Sequence, residues 1–460
     1  MQKLGEKCAV FGIYGKGLDV SRLAFFGLYS LQHRGQENSG IATTDGEEIF
    51  IHKGVGLVAQ VFNEKIIQSL PGHIAVGHNR YSTSSGLGVE YAHPIEVADK
   101  SLTLVHNGNL PSTTLLENFL RTKGIELPKA SDSMIITEAI HTLVKEGKTV
   151  ESAIEEIFPL MTGSFSLLIM TKNKLIALRD QYGIRPLSIA KLNGGYVFAS
   201  ETCAFHPIGA NFIRDVNPGE MVVVDESGLK IKQVVKGIQK LDIFEFVYFS
   251  RPDSILLGKS VYDIRKKFGQ RLAEEYPIEA DVVIPIPETS IPVAIGYAAA
   301  SGIPFEMGII KSRYIHRTFI EPEQHIRDQG VKLKLAPLKE MIENKRVIVV
   351  DDSIVRGTTS RQIVKMLFET GAKEVHFVIS CPPVKYPDFY GIDLPKQDAL
   401  IASKMSVEEI NRYLGCTSLN FLSYGGMIKS TGLDESLFCT SCFTGKYPID
   451  LRERKDEVTY

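Results

Sequence analysis

Two adjacent acids, Asp351 and Asp352, follow an apolar run at residues 347–350 and precede a Gly-Thr-Thr turn at residues 357–359. An apolar, β-branched run of this length is typical of a parallel strand covered on both faces, and such sheets bind ligands beyond the carboxyl ends of their strands. The turn leads into a predicted helix over residues 360–370, whose first N–H groups could bind a phosphate. Because carboxylates can bind Mg²⁺ or ribose hydroxyls, the segment predicts a sugar phosphate as ligand. An Asp-Asp pair without these neighbours would more often be an ordinary turn before a helix.

The elements around this loop repeat in the order strand, loop, helix. Apolar strand candidates at residues 282–286 and 347–350 are each followed by a helical stretch, which predicts βαβ units and a mainly parallel sheet. Residues 8–235 instead show short strands and hairpins broken by two helical stretches, which predicts strands layered with helices. The charged stretch 230–240 is the expected boundary, and the charged end from residue 452 is expected to be loosely ordered.

Composition narrows the possible classes of protein. The 460 residues are enough for two or three domains, and the net charge of −2, with acids and bases well mixed, gives no reason to expect nucleic acid or an anionic membrane as partner. Residues 1–7 lack the apolar region of a secretion signal, and no apolar run approaches the length of a membrane span, so a cytoplasmic protein is expected. The six cysteines are scattered and do not form a secreted disulfide framework.

The segment 347–360 resembles the binding motif of type I phosphoribosyltransferases, which bind 5-phosphoribosyl-1-pyrophosphate (PRPP). The resemblance implies a Mg²⁺ site near Thr289, Asp351 and Asp352. It also implies that a basic loop, residues 317–334, closes over the pyrophosphate, although its composition alone would equally suit a solvated loop. The residues that this resemblance assigns to PRPP are Asp351, Asp352, Gly357, Thr358, Thr359, Arg317 and Lys334.

The first half contains a second set of chemically suggestive residues. Cys8 begins an apolar strand candidate, and polar, Gly-containing loops follow at residues 32–40, 77–83 and 105–110. A lone cysteine at such a position is usually just buried. Together, however, the four segments resemble the glutaminase domain of the N-terminal-nucleophile (Ntn) amidotransferases, and the resemblance covers essentially the whole first half.

That resemblance implies a role for each of five residues. Cys8 would be the nucleophile, freed by removal of a propeptide at residues 1–7, and its own α-amine would serve as the base. Asn107 and Gly108 would form the oxyanion hole, although Asn-Gly alone more often marks a hairpin turn. The glutamine ligands would be Arg80, for the carboxylate, and Asp132, for the amino group. On sequence alone, Arg80 would be a surface residue and Asp132 a helix N-cap.

Joined together, the halves resemble the family of glutamine phosphoribosylpyrophosphate amidotransferases. The implied fold is an αββα Ntn-hydrolase sandwich (residues 8–235), then a type I phosphoribosyltransferase domain with a mainly parallel sheet (244–445) and a C-terminal tail (446–460). The resemblance further implies the substrates glutamine and PRPP, an internal ammonia channel, inhibitory purine nucleotides and a homotetramer. Two other functions remain open. One is an amidotransferase that aminates a sugar phosphate at carbon 2. The other is a PRPP-sensing regulator, which would have no use for Cys8.

One departure from the family concerns metal. Many members bind a [4Fe-4S] cluster through four cysteines, but here the corresponding positions hold Asp242, Asp388, Cys439 and Cys442. A cluster with only thiolate ligands is therefore excluded at this place, and an iron-sulfur cofactor is doubtful. The alternatives are a zinc or aspartate-ligated cluster site, free thiols, or a disulfide. The remaining cysteines, Cys203, Cys381 and Cys416, are interpreted as small core residues.

Overall fold

The computed structural model describes residues 8–81, 88–312, 334–392, 394 and 396–459. Three main sheets organise this part of the chain, two in the first half and one in the second. Within the described residues, none of the helices has the length and apolar character needed to span a bilayer.

The first half contains a seven-stranded sheet and a six-stranded sheet. In spatial order the seven-stranded sheet consists of Asn211–Asp215, Ser188–Leu192, Gly195–Ala199, Ala9–Tyr14, Ile74–Arg80, Asn38–Thr44 and Ile49–Val55. The six-stranded sheet consists of Gly228–Gln233, Glu220–Asp225, Leu175–Arg179, Thr162–Thr171, Leu102–Ser112 and Ile95–Glu96. Both sheets are antiparallel throughout. The α-helices of this half are Val20–Ser30, Val58–Val61, Glu64–Gln68, Thr114–Thr122, Asp132–Lys145 and Val150–Ile157.

Apolar residues on both faces of each sheet produce four layers. Val10, Val76 and Leu168 belong to a core between the two sheets. Outside the seven-stranded sheet, Phe11 packs with residues of the helix Val20–Ser30. A further core joins the outer face of the six-stranded sheet to the helices over residues 114–157. The predicted αββα sandwich is therefore confirmed.

The second half is built around a four-stranded parallel sheet. Its strands, in spatial order, are Val282–Pro285, Arg346–Asp351, Glu374–Ile379 and Ser418–Phe421. Among its described residues, the α-helices are Val261–Glu275, Ile291–Ser301, Lys339–Ile342, Thr358–Glu369, Val407–Leu414, Tyr424–Thr431 and Ser441–Thr444. Short strand pairs join Leu241–Asp242 to Phe438–Cys439, Ile255–Leu256 to Lys259–Ser260, and Ile309–Lys311 to Leu335–Pro337. The apolar residues 347–350 are fully buried in the sheet, which confirms the predicted parallel strand.

The charged C-terminal end packs against the rest of the molecule. Leu451 and Val458 are buried, and the guanidinium of Arg454 lies 4.6 Å from the ring centroid of Phe389. Gln397 exchanges two hydrogen bonds with the backbone of Thr459. The expectation of a loosely ordered end is therefore wrong, because apolar residues among the charges give this segment a surface to bury.

Candidate active sites

The first candidate site is built around Cys8, which directly precedes a central strand of the seven-stranded sheet, Ala9–Tyr14. Its side chain is half-buried. The next residue, Ala9, pairs with Asn79, so Arg80, at the end of the neighbouring strand, lies at the same edge of the sheet. Arg80 is buried, and its guanidinium lies 5.6 Å from the ring centroid of Tyr91. The interpretation of Arg80 as a surface residue is wrong.

Asn107 lies in the opposing six-stranded sheet and reaches across to the strand of Cys8. Its Nδ2 donates to Ser200 Oγ at 3.3 Å, and the same hydroxyl accepts from the Val10 N–H at 2.9 Å. Asn107 is fully buried, and its Oδ1 has no hydrogen-bond partner among the described residues. Because a side-chain amide nitrogen carries two hydrogens, one N–H remains for a ligand.

Gly108 follows inside the strand Leu102–Ser112, so Asn107-Gly108 is not a hairpin turn. Its φ is +156°. A Cβ at this position would lie 2.1 Å from the Ser164 carbonyl oxygen and 2.7 Å from His106 Nε2. Only glycine therefore fits here, which fixes the position of the backbone N–H that follows Asn107.

Three buried histidines support this strand. His78 Nε2 lies 2.9 Å from the His106 carbonyl oxygen, His93 Nδ1 accepts from the His106 N–H at 3.2 Å, and the rings of His78 and His93 stack at 4.2 Å. Burial lowers the pKa of His78 to about 3 and also lowers the pKa values of His93 and His106. All three are therefore neutral near pH 7 and fix the strand without adding charge.

Asp132 is the first residue of the helix Asp132–Lys145, and its carboxylate faces the strand that carries Asn107. It accepts from the Leu110 N–H at 3.1 Å and lies 3.8 Å from His106 Nδ1. The helix N-cap is Ser131, whose side chain accepts from the Met134 N–H, so the interpretation of Asp132 as the cap is wrong. A partly exposed carboxylate at this position can bind a substrate ammonium group.

The second candidate site lies at the carboxyl end of the strand Arg346–Asp351. A pocket there is lined by Tyr248, Asp351, Asp352, Ser353, Val355, Arg356, Gly357, Thr358, Thr359 and Ser360. Gly357 has φ +74°, and the helix Thr358–Glu369 begins directly after it. The pocket therefore combines buried carboxylates with backbone N–H groups at the start of a twelve-residue helix. Such a combination suits a phosphorylated polyol.

Two other predicted ligands, Thr289 and Lys334, are not among the residues that line this pocket. Thr289 follows the adjacent parallel strand, and the Ile286 N–H donates to the Val350 carbonyl at 2.8 Å, so both loops share one sheet edge. Lys334 directly precedes the strand Leu335–Pro337, and its carbonyl oxygen accepts from the Ser312 N–H at 2.9 Å. Arg317 lies outside the described residues, as do residues 1–7.

The possible second metal site gathers four buried residues, with Asp242 and Cys439 paired in register. Asp242 Oδ2 accepts from Arg185 at 3.1 Å, and Asp388 Oδ1 accepts from two backbone N–H groups at 2.9 and 2.8 Å. Cys439 and Cys442 are free thiols whose pKa values burial raises above the usual range, so the disulfide alternative is wrong. The Arg185 guanidinium already neutralises Asp242, so this carboxylate has its charge partner without a metal ion.

Another group satisfies the geometric requirement for a metal better. Among the described residues, the ligand atoms of His33, Glu201 and Cys203 all lie within 4.8 Å of one another. Glu201 is already bound by the Arg34 guanidinium and by the Ser254 hydroxyl at 2.6 Å. Because a guanidinium already neutralises this carboxylate, hydrogen bonding explains the group without an ion.

Sequence reasoning missed Arg34, which is fully buried and whose Nε lies 3.5 Å from the carbonyl oxygen of Cys8. It also missed the three neutral histidines. Arg34, His78 and His106 all fall in the polar loops 32–40, 77–83 and 105–110, so their positions in these loops could have marked them as candidate site residues. Their partners, however, are distant in sequence.

Comparison with known proteins bears on both sites. A family model described as a glutamine amidotransferase domain matches residues 78–207, and one described as a phosphoribosyl transferase domain matches residues 254–388. An amidophosphoribosyltransferase of Synechococcus elongatus is 47% identical over 455 residues, which cover 97% of this chain and 92% of that protein. The amidophosphoribosyltransferase of Bacillus subtilis is 45% identical over 457 residues, covering 97% and 95%.

Two solved structures are similar to this chain over nearly its whole length. The glutamine PRPP amidotransferase from B. subtilis complexed with ADP and GMP superposes with a TM-score of 0.90 at 44% identity, covering 97% of this chain and 98% of that one. A second structure, described as the allosteric regulatory enzyme of purine biosynthesis, gives a TM-score of 0.91 at 44% identity, with 98% of each chain covered.

Proposed function

Since this chain belongs to the amidophosphoribosyltransferase family, which forms 5-phosphoribosylamine, glutamate and pyrophosphate from glutamine and PRPP, we propose that it divides this first step of purine synthesis between the two sites described above. Glutamine is hydrolysed at Cys8, and the ammonia then reacts with PRPP bound at Asp351 and Asp352. Family membership removes the carbon 2 amination and the PRPP-sensing regulator as alternatives.

At the glutamine site, the Cys8 sulfur attacks the side-chain amide carbon of glutamine. The remaining Nδ2 hydrogen of Asn107 and the Gly108 N–H stabilise the oxyanion that forms, and the buried setting strengthens both contacts. Arg80 binds the substrate carboxylate and Asp132 its amino group. Collapse of the oxyanion breaks the C–N bond and releases ammonia, and water then hydrolyses the thioester to glutamate.

The proton transfers require a base beside the Cys8 sulfur. We propose that removal of residues 1–7 exposes the α-amine of Cys8, which titrates near neutral pH, takes the thiol proton and returns one to the departing nitrogen. Intact mass measurement of the active enzyme tests this step. A fully active preparation that still begins at Met1 would refute it.

At the second site, the loop at Gly357, Thr358 and Thr359 binds the PRPP phosphate. Asp351, Asp352 and Thr289 offer oxygen atoms of the type that Mg²⁺ prefers, and they share one edge of the parallel sheet. A Mg²⁺ ion held by these oxygens would supply positive charge to stabilise the pyrophosphate that leaves as ammonia attacks C1 of the ribose. Arg317 and Lys334 belong to the loop that we propose closes over this charge.

Two further properties are inferred from the family. The complex of the B. subtilis structure with ADP and GMP supports binding of purine nucleotides as inhibitors of this enzyme as well. A homotetramer is the expected assembly, and light scattering of the purified protein measures it directly.

The observation that carries the proposal is the pocket at residues 351–360, which places two carboxylates and a helix start at the end of one buried strand. Asp351→Asn is the matching test, because it keeps the side chain's size and removes its charge. Pyrophosphate release is expected to disappear with either glutamine or ammonia as nitrogen donor. Activity retained within about twofold, less than 1 kcal/mol of barrier, would refute the assignment.

A further inference from the structure

The strand that carries the proposed oxyanion hole is held from outside by a segment of the second half of the chain. Asn109, the residue after Gly108, donates from Nδ2 to the Phe389 carbonyl oxygen at 2.7 Å. Ser164 is the partner of Asn109 on the neighbouring strand, and its hydroxyl donates to the Tyr390 carbonyl oxygen. Two successive carbonyl groups of one segment therefore bind two paired strands directly beside Gly108.

Gly108 has little freedom to move independently of these two residues. It is bonded to Asn109, and a Cβ at its position would lie only 2.1 Å from the Ser164 carbonyl oxygen. The backbone of Gly108 thus lies directly on the backbone of Ser164. A displacement of Asn109 or Ser164 must therefore change the direction of the Gly108 N–H.

Asp388 fixes the conformation of the segment that binds the two strands. Its Oδ1 accepts from the backbone N–H groups of Tyr390 and Ile392 at 2.9 and 2.8 Å. An aspartate that accepts N–H groups a few residues further along the chain stabilises a local turn. Asp388 is itself buried, so water has little access to these hydrogen bonds. The turn leaves the carbonyl groups of Phe389 and Tyr390 available to the first half.

The side chains of the same segment are anchored on the C-terminal end of the chain. The Tyr390 hydroxyl donates to the Ile449 carbonyl oxygen at 2.8 Å and accepts from the Ile449 N–H at 3.1 Å. The ring of Phe389 packs edge to face on Tyr447, with 5.4 Å between centroids. Phe389 and Tyr390 are both buried. The segment is therefore fixed on several sides and can hold the two strands in place.

The two aspartates that stand where many family members have cysteine are occupied by hydrogen bonds within the chain. Besides the two N–H groups on Asp388, the Phe244 N–H donates to Asp242 Oδ1 at 3.0 Å, and Arg185 donates to Asp242 Oδ2 at 3.1 Å. Cys439 belongs to the same apolar core as Phe389 and Tyr390. These residues do not fit a metal cluster, and the structure gives Asp388 a different task.

We propose that Asp388 and Asn109 are positioning residues for the oxyanion hole: Asp388 sets the turn, and Asn109 connects that turn to Gly108. The inference rests on the proposed function, because that function assigns the Gly108 N–H to the oxyanion. The oxyanion exists only after the nucleophile has attacked. Misplacement of its donor therefore lowers kcat and leaves binding of the substrate nearly unchanged.

The experiment measures glutamate formation by the full-length enzyme with PRPP present throughout. In Asp388→Ala and in Asn109→Ala, kcat for glutamine hydrolysis is expected to fall about 10- to 100-fold, the range for a displaced catalytic group. KM for glutamine and the ammonia-dependent release of pyrophosphate are expected to stay within about twofold of wild type. Asp388→Asn keeps an oxygen that can accept both N–H groups, so it is expected to retain nearly the wild-type kcat.

The double variant Asp388→Ala/Asn109→Ala tests whether the two residues act through one another. If they do, its kcat should be close to that of the weaker single variant, whereas independent effects would multiply to about 10²- to 10⁴-fold. Asp45→Ala is the matched control, because Asp45 Oδ1 also accepts from two backbone N–H groups, those of Glu47 and Glu48, at 2.9 Å each. That turn is exposed and lies outside both sites, so kcat should not change.

Each outcome supports the proposal or counts against it. A glutamine kcat within about twofold of wild type in Asp388→Ala or in Asn109→Ala would overturn it, and so would multiplying effects in the double variant. If Asp388→Ala does not fold, Asn109→Ala decides alone. Stoichiometric iron or zinc that Asp388→Asn removes would make Asp388 a metal ligand and would also overturn it. Failure of the proposed function would appear differently, as no glutamine-dependent PRPP consumption by the wild-type enzyme.

Discussion

Replacement of Asn107 by alanine tests the proposed oxyanion hole, because the structure defines which hydrogen bonds the Asn107 side chain makes. One of the two Nδ2 hydrogens is directed to Ser200 Oγ at 3.3 Å, and we expect the other to stabilise the oxyanion. Loss of one such donor raises a barrier by about 2.7 to 4 kcal/mol, so kcat for glutamine hydrolysis should fall by about 10² to 10³. The glutamine KM should change little, because Arg80 and Asp132 bind the other end of the substrate.

The fold should tolerate the change. Asn107→Ala removes one long hydrogen bond, worth about 1 kcal/mol, and also removes a buried oxygen that lacks a partner among the described residues. Glutamate formation and ammonia-dependent pyrophosphate release are measured in parallel, with Asn118→Ala on an exposed helix face as the matched control. A decrease in glutamine kcat of less than about threefold, under 1 kcal/mol, would refute the reasoning, and so would an equal loss of the ammonia reaction.

Gly357→Ala places an alanine in a left-handed backbone conformation, with its Cβ 2.8 Å from Ile401 Cδ1. If the loop is distorted by the resulting strain of about 1 to 2 kcal/mol, KM for PRPP should rise about 5- to 30-fold. Gly415→Ala has the same φ of +74° and open space, so it should leave KM unchanged; equal effects would contradict this account. His78 has a pKa of about 3 in the folded protein and about 6.5 in the unfolded chain, so only the unfolded chain gains a proton between these values. The free energy of unfolding therefore falls as the pH falls, by about 2 kcal/mol between pH 6.5 and 5. Chemical denaturation at both pH values should show a smaller loss in His78→Gln, and an identical loss would exclude His78 as the source. Iron, zinc and sulfide analysis of anaerobically purified protein should find no stoichiometric metal at Cys439 and Cys442; stoichiometric metal that Cys442→Ser removes would contradict the structural interpretation.

Local patterns in the sequence were sufficient to predict the pocket at residues 351–360. An apolar run, two acids and a Gly-Thr-Thr turn are contiguous, and a buried strand followed by a helix brings them together without any distant contact. The helix was predicted over residues 360–370 and begins two residues earlier, at Thr358. Resemblance to a known family supplied the proposed glutamine site, because Asn107-Gly108 alone favours a turn over a strand interior.

Contacts between distant segments could not be predicted. In the sequence, Arg34 is one polar residue of a loop. In the structure it is buried, because it is paired with the carboxylates of Glu201 and Glu245, which are 167 and 211 residues away. The same limit applies to the charged end, where the apolar residues Leu451 and Val458 outweigh the surrounding charges once a surface is available. Asp242 and Asp388 showed that a cluster with only thiolate ligands is excluded, but only the structure showed the arginine that pairs with one of them.

The central claim is that nitrogen released at Cys8 reaches PRPP at Asp351 and Asp352. The most direct test compares PRPP consumption by wild type and Cys8→Ala with glutamine and with ammonia as donor. We predict that Cys8→Ala loses the glutamine reaction and keeps the ammonia reaction, because the described residues that line the proposed PRPP pocket all belong to the second half of the chain. Glutamine-dependent consumption of PRPP that survives without Cys8 would contradict the account.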